Sequence, residues 1–238
     1  MAKVYAGTSG WSYPSWKPRF YPAKLASAKF LNFYSTRLNS VEVNYTFRRF
    51  PTESLLTRWI SETPEGFKFA VKAHQMITHI KRLREAGEWL ARFIDSVKLL
   101  HEANRLGPIL FQLPPYLKCD VELLANFLDE IPRTVRAAFE FRHESWFCDE
   151  VFTVLHEKNA ALCEAESDKL ETPKAETADF SYLRLRKESY STKAREVIAK
   201  RARRLADRGD VFVYFKHEDT PEGALYAEAL LRKSENAH

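Results

Sequence analysis

Five apolar runs of this chain carry polar or charged side chains at alternate positions: Val41-Glu42-Val43-Asn44-Tyr45, Phe69-Ala70-Val71-Lys72-Ala73-His74, Phe139-Glu140-Phe141-Arg142-His143, Leu183-Arg184-Leu185-Arg186 and Val213-Tyr214-Phe215-Lys216-His217. A period of two marks a strand whose faces differ. Strands of an open sheet covered on both sides read instead as continuous hydrophobic runs. Here one face of each strand is apolar and the other carries ions. A closed barrel satisfies both, with helices packed outside and polar groups converging on the axis.

Strand-like segments recur at residues 4–9, 40–47, 67–73, 108–113, 136–141, 160–165, 181–186 and 211–216, which makes eight. Helical patterns lie among them at 28–38, 53–62, 88–105, 121–131, 150–158, 192–208 and 224–233. Such alternation argues for parallel β/α units. Gly107 and Gly209 stop two of the helices directly before the next strand. Residues 167–179 hold Pro173 and too little apolar periodicity for a crossover helix. The expected fold is one α/β domain over residues 1–238, a (β/α)8 TIM barrel with the helix between strands six and seven missing or reduced. An open doubly wound sheet is the alternative, and it accounts poorly for charges inside the strands.

Composition changes this picture little: 45% hydrophobic and 29% charged residues describe a globular chain. No apolar run approaches the roughly 20 residues that cross a bilayer, and the first residues lack the pattern of a secretory signal, so a cytoplasmic protein is expected. Cys119, Cys148 and Cys163 show neither a disulfide framework nor zinc spacing. The parity of strand six is read with Glu164 and Glu166 facing the axis and Cys163 facing the helices. A formal charge of +5 favours anionic partners. Part of it lies on residues 192–208, read as an amphipathic helix with a solvated basic face.

Taken strand by strand, the inward set is Glu42 and Asn44, Lys72 and His74, Gln112, Glu140 and Arg142, Glu164 and Glu166, Arg184 and Arg186, Tyr214 and Lys216. Strand C-terminal ends carry the chemistry of such barrels. Arginine and lysine clamps suit phosphate or carboxylate groups. Glu42 or Glu140 is a candidate general base there, with His74 or Tyr214 as proton donor. Ser9, Trp11, Tyr13, His79, His143 and Trp146 follow strand ends and join the candidate ligand contacts. Aromatic rings beside cations at the rim suit sugar rings or unstacked bases next to phosphates, although Phe20 and Phe47 serve equally as a lid on the core. No metal or cofactor is expected. A divalent ion at His74, His79, His143 and His217 is the competing idea, which the cations Lys72 and Arg142 on the same surface oppose.

Several blocks carry a resemblance: Gly7-Thr8-Ser9-Gly10-Trp11-Ser12-Tyr13, Asn39-Ser40-Val41-Glu42-Val43-Asn44, Phe67-Lys68-Phe69-Ala70-Val71-Lys72-Ala73 with Ile77-Thr78-His79, Gly107-Pro108-Ile109-Leu110-Phe111-Gln112-Leu113-Pro114-Pro115, Phe139-Glu140-Phe141-Arg142-His143-Glu144-Ser145-Trp146 and Ala178-Asp179-Phe180. In this order they resemble the YecE-like proteins, domain-of-unknown-function family seventy-two. The resemblance implies a TIM barrel similar to sugar isomerases and the apurinic endonuclease class, and no particular activity. The chain departs from that pattern in two places. Arg184-Leu185-Arg186-Lys187 replaces Arg-Leu-His-Gly, and Tyr214-Phe215-Lys216-His217 replaces Tyr-Phe-Asn-Asn, both shifting the site toward positive charge.

The leading expectation is an anionic, phosphate-bearing ligand at the C-terminal mouth of the barrel, with nucleic acid as one such partner and hydrolytic chemistry on it. The rivals are a metal-independent acid/base enzyme acting on a sugar or sugar acid, and a non-catalytic adaptor.

Overall fold

The computed structural model describes residues 2–166, 170–216 and 219–235. Eight parallel strands form a nearly closed barrel: β1 (Val4–Thr8), β2 (Ser40–Val43), β3 (Lys68–Lys72), β4 (Leu106–Gln112), β5 (Ala137–Glu140), β6 (Ala161–Ala165), β7 (Phe180–Leu185) and β8 (Asp210–Phe215). Outside them lie α1 (Phe30–Tyr34), α2 (Glu53–Ser61), α3 (Gly87–Ser96), α4 (Lys98–Glu102), α5 (Val121–Asp129), α6 (Asp149–Glu157), α7 (Thr192–Ala206) and α8 (Glu222–Glu235). Thr52, Asp120 and Ser191 start α2, α5 and α7 by accepting a backbone N–H three residues on. None of these described helices is long and apolar enough to cross a membrane.

Three of the expected elements differ clearly in length. The helix expected over 28–38 is reduced to α1, five residues behind a 3-10 turn at Ser27–Lys29. Strand two ends at Val43 and turns into a 3-10 helix at Tyr45–Phe47 rather than running through residue 47. The helix expected over 88–105 breaks at Val97, where φ −110° and ψ 6° leave the helical region. Between β6 and β7 no helix forms among the described residues. Instead Thr172 and Thr177 hydrogen-bond the backbone of β6, and Glu176 accepts from Arg201 and Arg204 of α7 and from Arg208 just beyond it. These side chains satisfy and anchor a connection that Pro173 keeps from coiling.

The apolar residues divide into two cores. The larger lies between strands and helices, and the smaller lies inside the barrel around Tyr5, Leu110, Phe180, Tyr182, Phe212 and Tyr214. Closure between β1 and β2 is unusual. One bridge, Ser9 with Glu42, is the only backbone pairing of the two among the described residues. Side chains complete the seam: Asn39 bonds the Val4 carbonyl and the Ala6 N–H, while Tyr34 Oη accepts from Thr8 N–H and donates to the Ser40 carbonyl. Gly7 permits this approach, since a Cβ there would fall 1.9 Å from the Ser40 carbonyl oxygen.

Candidate functional site at the barrel mouth

Every β-to-α loop of a parallel barrel opens at one end, so side chains late in their strands meet there. Glu42 and Glu140 are fully buried and are joined by Arg184, itself 2% exposed. Arg184 Nη2 donates to Glu42 Oε1 at 2.7 Å and Nη1 donates to Glu140 Oε2. Ser9 and Tyr182 hydroxyls each donate to Glu42 at 2.7 Å. Glu140 Oε1 accepts from Gln112 Nε2 and Arg142 Nε, both at 2.9 Å. Lys72 Nζ donates to Gln112 Oε1 at 2.8 Å and sits 4.1 Å from the centre of the Phe47 ring. Arg186 comes only to 3.9 Å of Glu140, and its buried Nε has no hydrogen-bond partner.

Burial alone would raise both carboxyl pKa values. The Arg184 charge, with hydrogen bonds from Arg184, Ser9 and Tyr182, outweighs it and holds Glu42 below the usual carboxylate range. Around Glu140 the charges of Arg184, Arg186 and Arg142 do the same more strongly. Burial and then Arg184 push Lys72 down to about 8, against the pull of the two carboxylates. Burial, followed by Arg184, also presses Arg186 below its ordinary value. His79 is lowered by burial and by Lys72 and Arg142, which leaves the imidazole neutral at pH 7. Its Nδ1 meets Thr78 Oγ1 at 2.9 Å and its ring packs edge-on to Phe47.

Thus Ser9, Glu42, Lys72, Gln112, Glu140, Arg142, Arg184 and Arg186 meet at the mouth, with His79 at its edge. Other residues expected there lie elsewhere. His74 is stacked on Phe50 at 4.7 Å and packs against Trp89 of α3, and burial lowers its pKa. Tyr214 lies deeper in the barrel, 2.6 Å from Ser40 Oγ. Trp11 packs edge-on against Trp59 of α2. Tyr13 ties its hydroxyl to the Ser9 carbonyl. Trp146 is buried on Phe141, with Nε1 donating to the Leu117 carbonyl. His143 Nδ1 caps a short turn through Ser145. Asn44 is half-buried where β2 ends, and Lys216 is exposed just past β8. Phe20 is buried, as a lid on the core requires, whereas Phe47 is half-buried at the mouth against Lys72 and His79. His217 lies outside the described residues.

Strand six carries the one reversal of facing. Cys163 points into the barrel beside Tyr182, where burial raises its thiol pKa well above the ordinary value. Glu164 points outward and pairs with Arg201 of α7, and Glu166 accepts from Tyr190 and lies 3.5 Å from Lys187. The inward reading fails at Glu164 because α7 supplies Arg201 outside the sheet, and at Glu166 because Tyr190 and Lys187 of the loop after β7 engage it. Tyr182 is the contact that sequence reasoning missed. Its position two before Arg184 on the same strand was the signal.

Among the described residues no group of three His, Cys, Asp or Glu side chains lies close enough to hold a metal ion. The donors of the mouth are chiefly cationic, the chemistry of an anion grip.

Comparison with known proteins agrees with this architecture. The chain is 34% identical over 155 residues to the UPF0759 protein YunF of Bacillus subtilis, covering 60% of this chain and 52% of YunF. It is 29% identical over 145 residues to the UPF0759 protein YecE of Escherichia coli K12, covering 60% and 50%. The chain therefore spans about half the length of the curated relatives it matches. The crystal structure of the DUF72 family protein TM1631 of Thermotoga maritima superposes with a TM-score of 0.87 at 26% identity, covering 98% of this chain and 99% of that one. Residues 5–238 match the family described as "Protein of unknown function DUF72", and the chain belongs to that family.

Proposed function

We propose that the mouth of the barrel binds a phosphate-bearing anion, held by Arg186, Lys72 and Arg142 over a base formed by Arg184 and the two glutamates. Arg186 carries the reading: its side chain is 18% exposed, its Nε has no partner and its Nη1 comes no nearer than 3.9 Å to a carboxylate, so it is a donor set waiting for an acceptor. The wider charge balance supports it. Lys72, Arg142, Arg184 and Arg186 face Glu42 and Glu140, so four positive charges meet two negative ones. Both carboxylates are engaged by several donors and held ionised, which suits them to orienting the cations more than to taking a proton.

Thermal denaturation tests this. Inorganic phosphate and a sugar monophosphate should raise the melting temperature of the native chain, because a ligand that binds the folded state stabilises it. Arg186→Met should remain folded and lose most of that shift. Equal shifts in the two proteins, or none in the native chain with either compound, would refute the reading.

A further inference from the structure

Four large hydrophobic side chains are prominently exposed among the described residues: Tyr45, Ile80, Tyr116 and Val197. Three of them, at 43%, 57% and 64% exposure, stand on the successive loops after β2, β3 and β4. Those strands are neighbours in the sheet, and their loops are tied together. Phe47 packs on His79 with centroids 4.9 Å apart, and Arg84 pairs with Asp120 at 2.9 Å. The exposed rings thus share one side of the mouth.

The same loops hold Arg48, Arg49, Lys81, Arg82, Arg84 and Lys118 against two acidic residues, Glu85 and Asp120. Asp120 is taken by Arg84, and Glu85 lies 3.9 Å from Lys81. Arg48, Arg49, Arg82 and Lys118 are exposed and make no ion pair among the described residues.

The loop after β3 is also held in costly backbone. A π-helical turn at Met76–Ile80 is followed by Arg82, Leu83 and Glu85 at φ 53°, 69° and 46°, a left-handed region that side-chain-bearing residues avoid. Such strain persists where surroundings enforce it, and it concentrates at functional sites. Here buried Leu83 and the Arg84–Asp120 pair fix the loop with Ile80 and Arg82 turned to solvent.

We infer that this side of the mouth is a docking surface for single-stranded nucleic acid, with bases stacking on Tyr45 and Tyr116 and phosphates running along the arginines. The inference rests on the reading of the mouth as a phosphate site and names the chain whose phosphates reach it. Rings alternating with cations suit this partner, because every base offers a π-face and every linkage a charge. A ring-free polyanion would use only the cations. A duplex would hide its bases from the tyrosines.

The test is fluorescence anisotropy with a labelled oligothymidylate of about 12 nucleotides, within the roughly 4–16 that such surfaces track. Binding should weaken steeply with salt. Tyr116→Ala and Tyr45→Ala, both at exposed positions that leave the core intact, should each lower affinity by roughly 5-fold to 100-fold. Their response to inorganic phosphate in thermal denaturation should match that of the native chain. Inorganic polyphosphate of equal charge should compete poorly, and so should a duplex of the same length. No binding at low salt, equal competition by polyphosphate, or unchanged affinity in the tyrosine variants would each overturn the inference. The phosphate response separates the two proposals. If it persists while the oligonucleotide fails, only the docking surface falls; if the native chain shows none, the mouth site falls first.

Discussion

Toward the N-terminal ends of the strands the barrel interior is plugged by Tyr5, Phe180 and Phe212, with Ala138 and Ala161 beside them. Toward the C-terminal ends the interior is filled by Glu42, Glu140 and Arg184, and Tyr5 stacked on Phe212 at 4.8 Å gives way to ion pairs. The lower layer shows that this sequence can fill its barrel with apolar and aromatic groups. Filling space therefore does not explain the upper layer, because buried ion pairs commonly give no more stability than apolar residues of equal volume. Arg184 is sealed, whereas the side chains of Arg142 and Arg186 keep 35% and 18% exposure and Lys72 is half-buried. The anion site proposed at the mouth would account for the difference between the layers.

Breaking the upper layer should have the largest effect. Arg184→Met strips two buried carboxylates of their shared partner and should cost about 3–5 kcal/mol in urea denaturation. A cost below about 1 kcal/mol would place the two layers on equal terms. Replacing the trio together, as Glu42→Leu, Glu140→Leu and Arg184→Met, should restore native stability or exceed it by about 1–4 kcal/mol while abolishing the phosphate response. That outcome would separate the layer's binding role from its contribution to the fold. Tyr182→Phe removes one hydrogen bond to Glu42 and should cost about 1.5–3 kcal/mol.

The smallest effect is a pair of opposite pH trends. Lys72 is cationic at pH 7 and loses its charge as pH rises through about 8, so phosphate affinity should fall there, by no more than about tenfold. The unfolded chain keeps that proton up to the ordinary 10.5, so between about 8 and 10.5 it binds more protons than the folded one. Stability should therefore gain from this group across that window while binding declines. In acid the slope of stability keeps the same sign, because there too the unfolded chain binds more protons. Glu42 and Glu140 sit below the ordinary 4.5, so the stability they contribute is present above that value and is lost as pH falls beneath it.

The strands and the mouth cluster were legible because period two needs only local sequence. Glu42, Lys72, Glu140, Arg142, Arg184 and Arg186 could be placed from alternation alone, and the eight strands emerged near their true bounds. What local pattern cannot supply is the partner. His74 has the parity of Lys72, yet Phe50 from the loop after β2 and Trp89 from helix α3 claim it. Glu164 has a strand's worth of apolar neighbours on either parity, and Arg201, far along the chain, decides its direction. Trp11 and Trp146 read as ligand rings, but helix α2 and Phe141 cover them. Distant partners, then, limited the reading of individual side chains far more than the reading of the fold.

The junction between the first and second staves has a consequence of its own. Where peptide groups stitch neighbouring staves, no single replacement can undo the joint; here an amide, a phenol and a serine hydroxyl hold it. The serine clasps Glu42, so the rim of the proposed cup doubles as the clasp of the cylinder. An occupant that drew Arg184 away from Glu42 would be felt at once as slack in the wall.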